Sequence, residues 1–339
     1  MRTLLYLSFF IICLSCTQNS TTEKHISSMD NIVDVKHNVK EISTGEIMIN
    51  RYPRIYLMDN YLIIQDYKAY DNLIYIFDKN TFKFLASTGQ KGEGPSEIAN
   101  MGDIGIDEVR RKFYVTDHGK QKIFSFDLDS VLADPTYIPY VKMNIDIERF
   151  PSDYQYINDT LCIGRIIQPI GTNDFKPSIG KWNMVTGDIQ IMKYEHPEIE
   201  KKRIVCDASM EHNIYVEAYN YHDLITICDL DGNLKYNLYG PRWDNRKTNK
   251  IEYYRSIVFC GDKIFACYSG QDNFLKDKSG NLLPTPCTQI RVFDLNANYL
   301  YTLDIGYNII NLRYDKGNER IIMSMEDEIQ FCLLYTSPS

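Results

Sequence analysis

Apolar and polar positions along the chain fall into a repeating unit. Five times an isoleucine stands four residues ahead of an Asp or Asn, with an apolar residue just before the polar one: Ile74 to Asp78, Ile123 to Asp127, Ile179 to Asn183, Ile225 to Asp229 and Ile290 to Asp294. Successive side chains of a strand point to opposite faces, and here both faces are apolar, with Ile74 and Ile76 on one and Tyr75 and Phe77 on the other. A strand of this kind belongs to a sheet covered on both sides. Ahead of each unit lie two short apolar runs separated by a polar turn. The first runs are Ile55 to Leu57, Asp103 to Ile106, Tyr154 to Ile157, Ile204 to Ala208, Ile257 to Phe259 and Asn311 to Tyr314. The second are Tyr61 to Ile64, Lys112 to Val115, Leu161 to Ile163, Ile214 to Val216, Ile264 to Ala266 and Arg320 to Met323. Turns such as Asp59-Asn60 and Gly261-Asp262 between them are hairpin signals, because these residues tolerate positive backbone angles.

The terminal Asp or Asn of each unit opens a further turn, where its side-chain oxygens can bond local amides. Spacings of 49, 56, 46 and 65 residues between these positions suit propeller repeats of roughly 40 to 50 residues with loop insertions, the longest gap holding Gly270 to Cys287. Six hairpins with five third strands predict an all-β, six-bladed β-propeller over residues 34–331 with its last blade truncated. Residues 34–49 are expected to pair with that blade and close the circle, since an unpaired sheet edge is a liability.

The two ends read differently. Arg2 and the apolar run Leu4 to Leu14 form a signal peptide over residues 1–16, too short for a spanning helix of about 20 residues. Leu14-Ser15-Cys16 resembles a bacterial lipobox, with Cys13 where leucine is usual, so Cys16 is the expected lipidation site and residues 17–33 a flexible tether. Cleavage without lipid is the alternative. At the far end, residues 332–339 resemble a translated library adapter and are set apart as a non-native tail.

The stretch Gly89-Gln-Lys-Gly92-Glu-Gly94-Pro95, the Tyr239-Gly240-Pro241 element, the Phe-Asp strand ends and the lipobox-like start together resemble the TolB-like and NHL-like six-bladed propeller lipoproteins of Bacteroidota. The resemblance spans residues 35–331 and implies the fold and an envelope location facing the periplasm or the cell surface. It implies no particular activity, because one propeller scaffold hosts many functions.

A net charge of -8 argues against a polyanion partner, so no nucleic-acid partner is expected, since that would need a basic footprint. The glycines at 89, 92 and 94 are followed by Pro95 and a strand rather than a helix, so they read as a turn and not as a phosphate loop. Cys162, Cys206, Cys228, Cys260, Cys267 and Cys287 lack metal-ligand spacing and read as buried thiols, Cys260 and Cys267 being the nearest pair around a hairpin. No cofactor motif is present, and the scattered histidines form no zinc signature.

Ligand sites favour concave places, and in a propeller the loops after the second strands and between blades gather at one mouth of the channel. Those loops place Tyr67, Tyr70, His118, Lys120, Arg165, Tyr219, Tyr221, His222, Asp223, Arg242 and Trp243 as ligand-binding candidates, or as ordinary loop residues. Aromatic rings beside polar groups suit a glycan, a peptide or an envelope protein partner, with the membrane reached through the N-terminal lipid. The expected function is therefore a non-catalytic binding or scaffold module. The alternative is a metal-dependent propeller enzyme, of lactonase, hydrolase or lyase type, with Asp103, Asp207 and Glu217 as oxygen-ligand candidates.

Overall fold

In the computed structural model, residues 21–171, 174–246, 249–276 and 282–336 are described. They build six antiparallel sheets of four main strands each, arranged in a ring as a six-bladed propeller. Blade 1 comprises Arg54–Met58, Tyr61–Gln65, Asn72–Asp78 and Phe84–Gln90; blade 2, Met101–Asp107, Lys112–Asp117, Lys122–Asp127 and Tyr140–Asn144. Blade 3 comprises Phe150–Asn158, Leu161–Pro169, Phe175–Trp182 and Ile189–Ile191; blade 4, Ile204–Ser209, Ile214–Tyr219, Leu224–Asp229 and Leu234–Tyr239. Blade 5 comprises Ile251–Cys260, Lys263–Asp272, Gln289–Asp294 and Tyr299–Asp304, with an exposed hairpin of Phe274–Lys276 and Leu282–Pro284 inserted after its second strand.

The third strands are the isoleucine units, and their terminal residues cap the turns as expected. Asp78 accepts from Thr81 N at 2.7 Å, Asp127 from Ser130 N at 2.9 Å, Asn183 from Val185 N at 2.8 Å, Asp229 from Asn233 N at 2.8 Å and Asp294 from Asn298 N at 2.8 Å. Both faces of these strands are buried against neighbouring blades. Between blades 1 and 2, for example, Met58, Ile76, Ile104, Phe113 and Phe126 pack in one cluster, with Phe113 and Phe126 stacked at 4.9 Å.

The ends of the chain depart from expectation in three ways. Residues expected to form a tether include two short strands: Glu23–His25 pairs in parallel with Leu234–Tyr239, and Ile32–Asp34 in parallel with Tyr299–Asp304. The side chains of Ile32–Asp34 are exposed, whereas Glu23 accepts from Asn237 Nδ2 at 3.1 Å and Tyr239 Oη at 2.5 Å and His25 stacks on Tyr239 at 4.4 Å, so backbone pairing and polar contacts rather than an apolar pattern place these strands. Ring closure, as expected of residues 34–49, falls to Lys40–Glu41, which pairs with Phe331–Tyr335, while Ile42 donates its amide to the Phe331 carbonyl at 2.8 Å. The sixth blade is not truncated. Ile309–Asp315, Arg320–Met325 and Phe331–Tyr335 supply three strands and Lys40–Glu41 the fourth. Cys332, Leu333 and Leu334, set apart above as tail, are at most 5% exposed because their apolar side chains fill that blade's flanks. The signal peptide, Cys16 and residues 337–339 lie outside the described residues.

Candidate ligand-binding channel

The first strand of each blade lines the ring's centre, and one edge of that strand has no partner within its own sheet. Polar side chains span these open edges. Asp103 of blade 2 accepts the Tyr154 amide of blade 3 at 2.9 Å, Asp207 of blade 4 the Phe259 amide of blade 5 at 2.8 Å, and Asn311 of blade 6 the Ile55 amide of blade 1 at 3.2 Å. The intervening junctions use arginine. Arg54 of blade 1 stands 3.7 Å from Asp103, Arg165 of blade 3 donates to the Ile204 carbonyl at 2.8 Å, and Arg255 of blade 5 donates to the Ile309 carbonyl at 3.3 Å.

These strands enclose a cavity of about 1330 Å³. One mouth, where the inner strands begin, carries Tyr52, Tyr67, His118, Tyr221 and Glu326. The opposite end is ringed by Leu57, Ile106, Ile157, Phe259 and Tyr314. Arg54, Asp103, Asp153, Arg165, Asp207, Arg313 and the Glu252–Arg255 pair make a charged waist between them.

Electrostatics in the waist are uneven. Burial, together with the charge of Asp153, pushes the Asp103 carboxyl up to about 6, against the pull of Arg54 and its bonds from Tyr56 and Tyr154. Burial likewise pushes Asp207 up to about 6, although the Phe259 amide and Arg313 oppose it. For Asp153 burial also works against the charge, but the guanidinium groups of Arg165, Arg54 and Arg313 outweigh it and hold the carboxylate below its ordinary value. His118 is held below the usual histidine range, chiefly by burial.

The sequence candidates divide into two groups. Tyr67, His118, Arg165 and Tyr221 do line the cavity. His118 fits because Gly102 opposite it has no side chain; a Cβ there would come within 2.4 Å of the imidazole. The rest do not meet at the channel. Tyr70 is 92% exposed and away from the cavity wall. Lys120 donates to the carbonyls of Gly92, Gly94 and Glu97 at 3.2, 2.5 and 2.7 Å, locking the glycine-rich turn. Asp223 is fully buried and holds the blade 4 to blade 5 junction, accepting from Tyr254 Oη and Arg291 Nη1, each at 2.9 Å, and from Arg242 N at 3.1 Å. Arg242 donates to the Gly270 carbonyl. Trp243 packs on Tyr239 at 4.7 Å and beside His196 and the buried His222, and Tyr219 is buried in the same region.

Sequence reasoning missed Arg54, Tyr56, Asp153 and Arg313. Their signal was a charged or hydroxylated residue recurring inside apolar first strands, as in Arg54-Ile55-Tyr56 and Leu312-Arg313-Tyr314. Of the three metal-ligand candidates, Asp103 and Asp207 reach the channel but spend oxygens on neighbouring amides, and Glu217 is paired with Lys202 at 2.5 Å. Among the described residues, no group of three or more His, Cys, Asp or Glu is placed to hold a metal ion. The described cysteines form no disulfide, and Cys260 and Cys267 stand opposite Lys263 and Ser256 rather than each other.

With the ring and its channel in view, the sequence can be set beside known proteins. Residues 19–158 match the family DUF5128, described as a 6-bladed beta-propeller. A Bacteroides fragilis protein described as exported superposes with a TM-score of 0.52 at 12% identity, over 92% of this chain and 98% of its own. A DUF4221 family member from Bacteroides vulgatus superposes with a TM-score of 0.56 at 13% identity, over 88% of this chain and 98% of its own. At such identities the likeness is one of fold. No functionally curated protein matches the sequence.

Proposed function

We propose that the protein is a binding module of the bacterial cell envelope, exported and held at the membrane by lipid on Cys16, a lipoprotein of the TolB-like and NHL-like kind. Its ligand, a glycan, a peptide or a segment of a partner protein, enters the channel at the mouth bearing Tyr52, Tyr67, His118 and Tyr221. The observation that carries this reading is the cavity of about 1330 Å³ with aromatic rings at one mouth and charged groups at its waist. A concave site with a few convergent polar groups is where ligands bind. The run Leu4 to Leu14 ahead of Cys16 supports export, and the structural neighbour described as exported agrees with it.

The test is a calorimetric screen of oligosaccharides and short peptides against the protein and a Tyr67→Ala/Tyr221→Ala double variant. Each ring that stacks on a ligand contributes about 1.5 to 3 kcal/mol, so affinity is expected to fall at least about ten-fold in the double variant. Binding that is indifferent to both substitutions would remove the channel mouth from consideration.

A further inference from the structure

Resting on the reading of the channel as a ligand site, we infer that its ligand is the end of a neutral oligosaccharide, held by hydroxyl contacts with Asp153 and Arg313. The waist sets four guanidinium groups, Arg54, Arg165, Arg255 and Arg313, among four carboxyl groups, Asp103, Asp153, Asp207 and Glu252. An anion or a cation placed there meets as many like charges as opposite ones and gives up its hydration to do so. A hydroxyl donates to a carboxylate and accepts from a guanidinium, so a polyol satisfies both kinds of group without bringing a charge of its own.

Two members of the ring retain capacity for such contacts. Asp153 is 31% exposed, meets Arg165 at 3.9 Å and otherwise lies against the Asp103 carboxyl. Arg313 donates to the Leu312 carbonyl at 3.0 Å and lies 5.4 Å from the Tyr56 ring. By contrast, Arg165 and Arg255 are committed to carbonyls of the next blade. At the mouth, Tyr52 and Tyr67 share Lys68, whose ammonium lies 4.6 and 5.6 Å from their rings, and present aromatic surface to the apolar face of a pyranose. A peptide strand would instead bind by pairing with an open sheet edge. Here three of the six inner edges are already spanned by Asp103, Asp207 and Asn311.

The experiment compares neutral oligosaccharides, uronic-acid oligosaccharides and short peptides by calorimetry on the protein, Asp153→Asn and Arg313→Lys, with melting temperatures confirming that each variant folds. Neutral oligosaccharides are expected to bind, and each substitution to weaken them about ten-fold or more, the scale of a lost hydrogen bond to a charged group. Preferential binding of uronic acids or peptides, lost in the Tyr67→Ala/Tyr221→Ala variant, would overturn the neutral-sugar assignment and leave the channel reading standing. Neutral-sugar binding that ignores Asp153 and Arg313 would overturn the proposed contacts. Absence of binding by every probe would overturn both.

Discussion

Asp207 faces the channel while its carboxylate oxygen accepts the Phe259 amide, so one residue both binds a neighbouring blade and carries a poorly solvated charge. Burial raises its folded carboxyl to about 6, against about 3.9 for an unfolded chain. A raised acid favours the protonated folded state. Its contribution to stability is therefore fully present below about pH 4 and is lost as pH rises through about 6. Asp207→Asn keeps an oxygen for the Phe259 amide and removes the titration. The variant is expected to gain in melting temperature relative to the unsubstituted protein between pH 4.5 and 7.5. Groups common to both proteins cancel in that comparison, so an unchanged difference would contradict the assigned shift. At the same scale, Asp223 shows why the mouth residues were only partly legible. Tyr221-His222-Asp223 reads as one polar loop, yet Tyr221 faces the channel while Asp223 turns inward to Arg291 and Tyr254. Loop composition does not say which of three adjacent residues points where.

At the scale of elements, strands buried on both faces announce themselves, because packing between blades demands apolar residues at successive positions. All six first strands and all six second strands fall where the apolar runs placed them. Strands fixed by backbone pairing and polar side-chain contacts leave no such trace. Glu23–His25 and Lys40–Glu41 are short and polar, and Phe331–Tyr335 was obscured by its likeness to foreign sequence. The channel's polar waist was similarly hidden, since one charged residue inside an apolar run resembles noise until six runs converge. Ring closure gives the N-terminal strands unequal weight. Ile42 is 5% exposed and packs with Phe331 and Leu333, whereas Glu23–His25 adds no fully buried side chain to blade 4. Removing residues 21–43 from the mature chain is expected to cost about 2 to 5 kcal/mol more than removing residues 21–35, the scale of losing a buried Ile. Urea denaturation of the two truncations, with size-exclusion chromatography to detect pairing through the bared blade 6 edge, measures the difference. Equal losses would show that closure does not rest on Lys40–Glu41 and Ile42.

Across the whole molecule, the inner ring alternates two kinds of junction, and the residues that accept amides recur at an interval of two blades. Asp103, Asp207 and Asn311 are spaced by 104 residues each time. The third of these lies at the seam between blades 6 and 1, where the two ends of the chain meet. That seam carries a buried ion cluster: Asp315 lies 2.9 Å from Lys79 Nζ and 2.8 Å from Arg320 Nε, and Arg320 donates to the Lys79 carbonyl at 2.7 Å. Ser324 adds a bond to the Pro53 carbonyl at 2.9 Å. A ring opens first at its weakest junction, and removing one member of a buried ionic group leaves the others uncompensated, at about 3 to 5 kcal/mol. Asp315→Ala is expected to lower global stability on that scale and to concentrate the local opening at the seam. Native-state hydrogen exchange should then show the amides of Ile55 and of Arg320–Met325 losing protection before those of blade 3, which lies across the ring. Uniform loss of protection in all six blades would mean that the ring yields as one cooperative unit and that the seam is no weaker than any other junction.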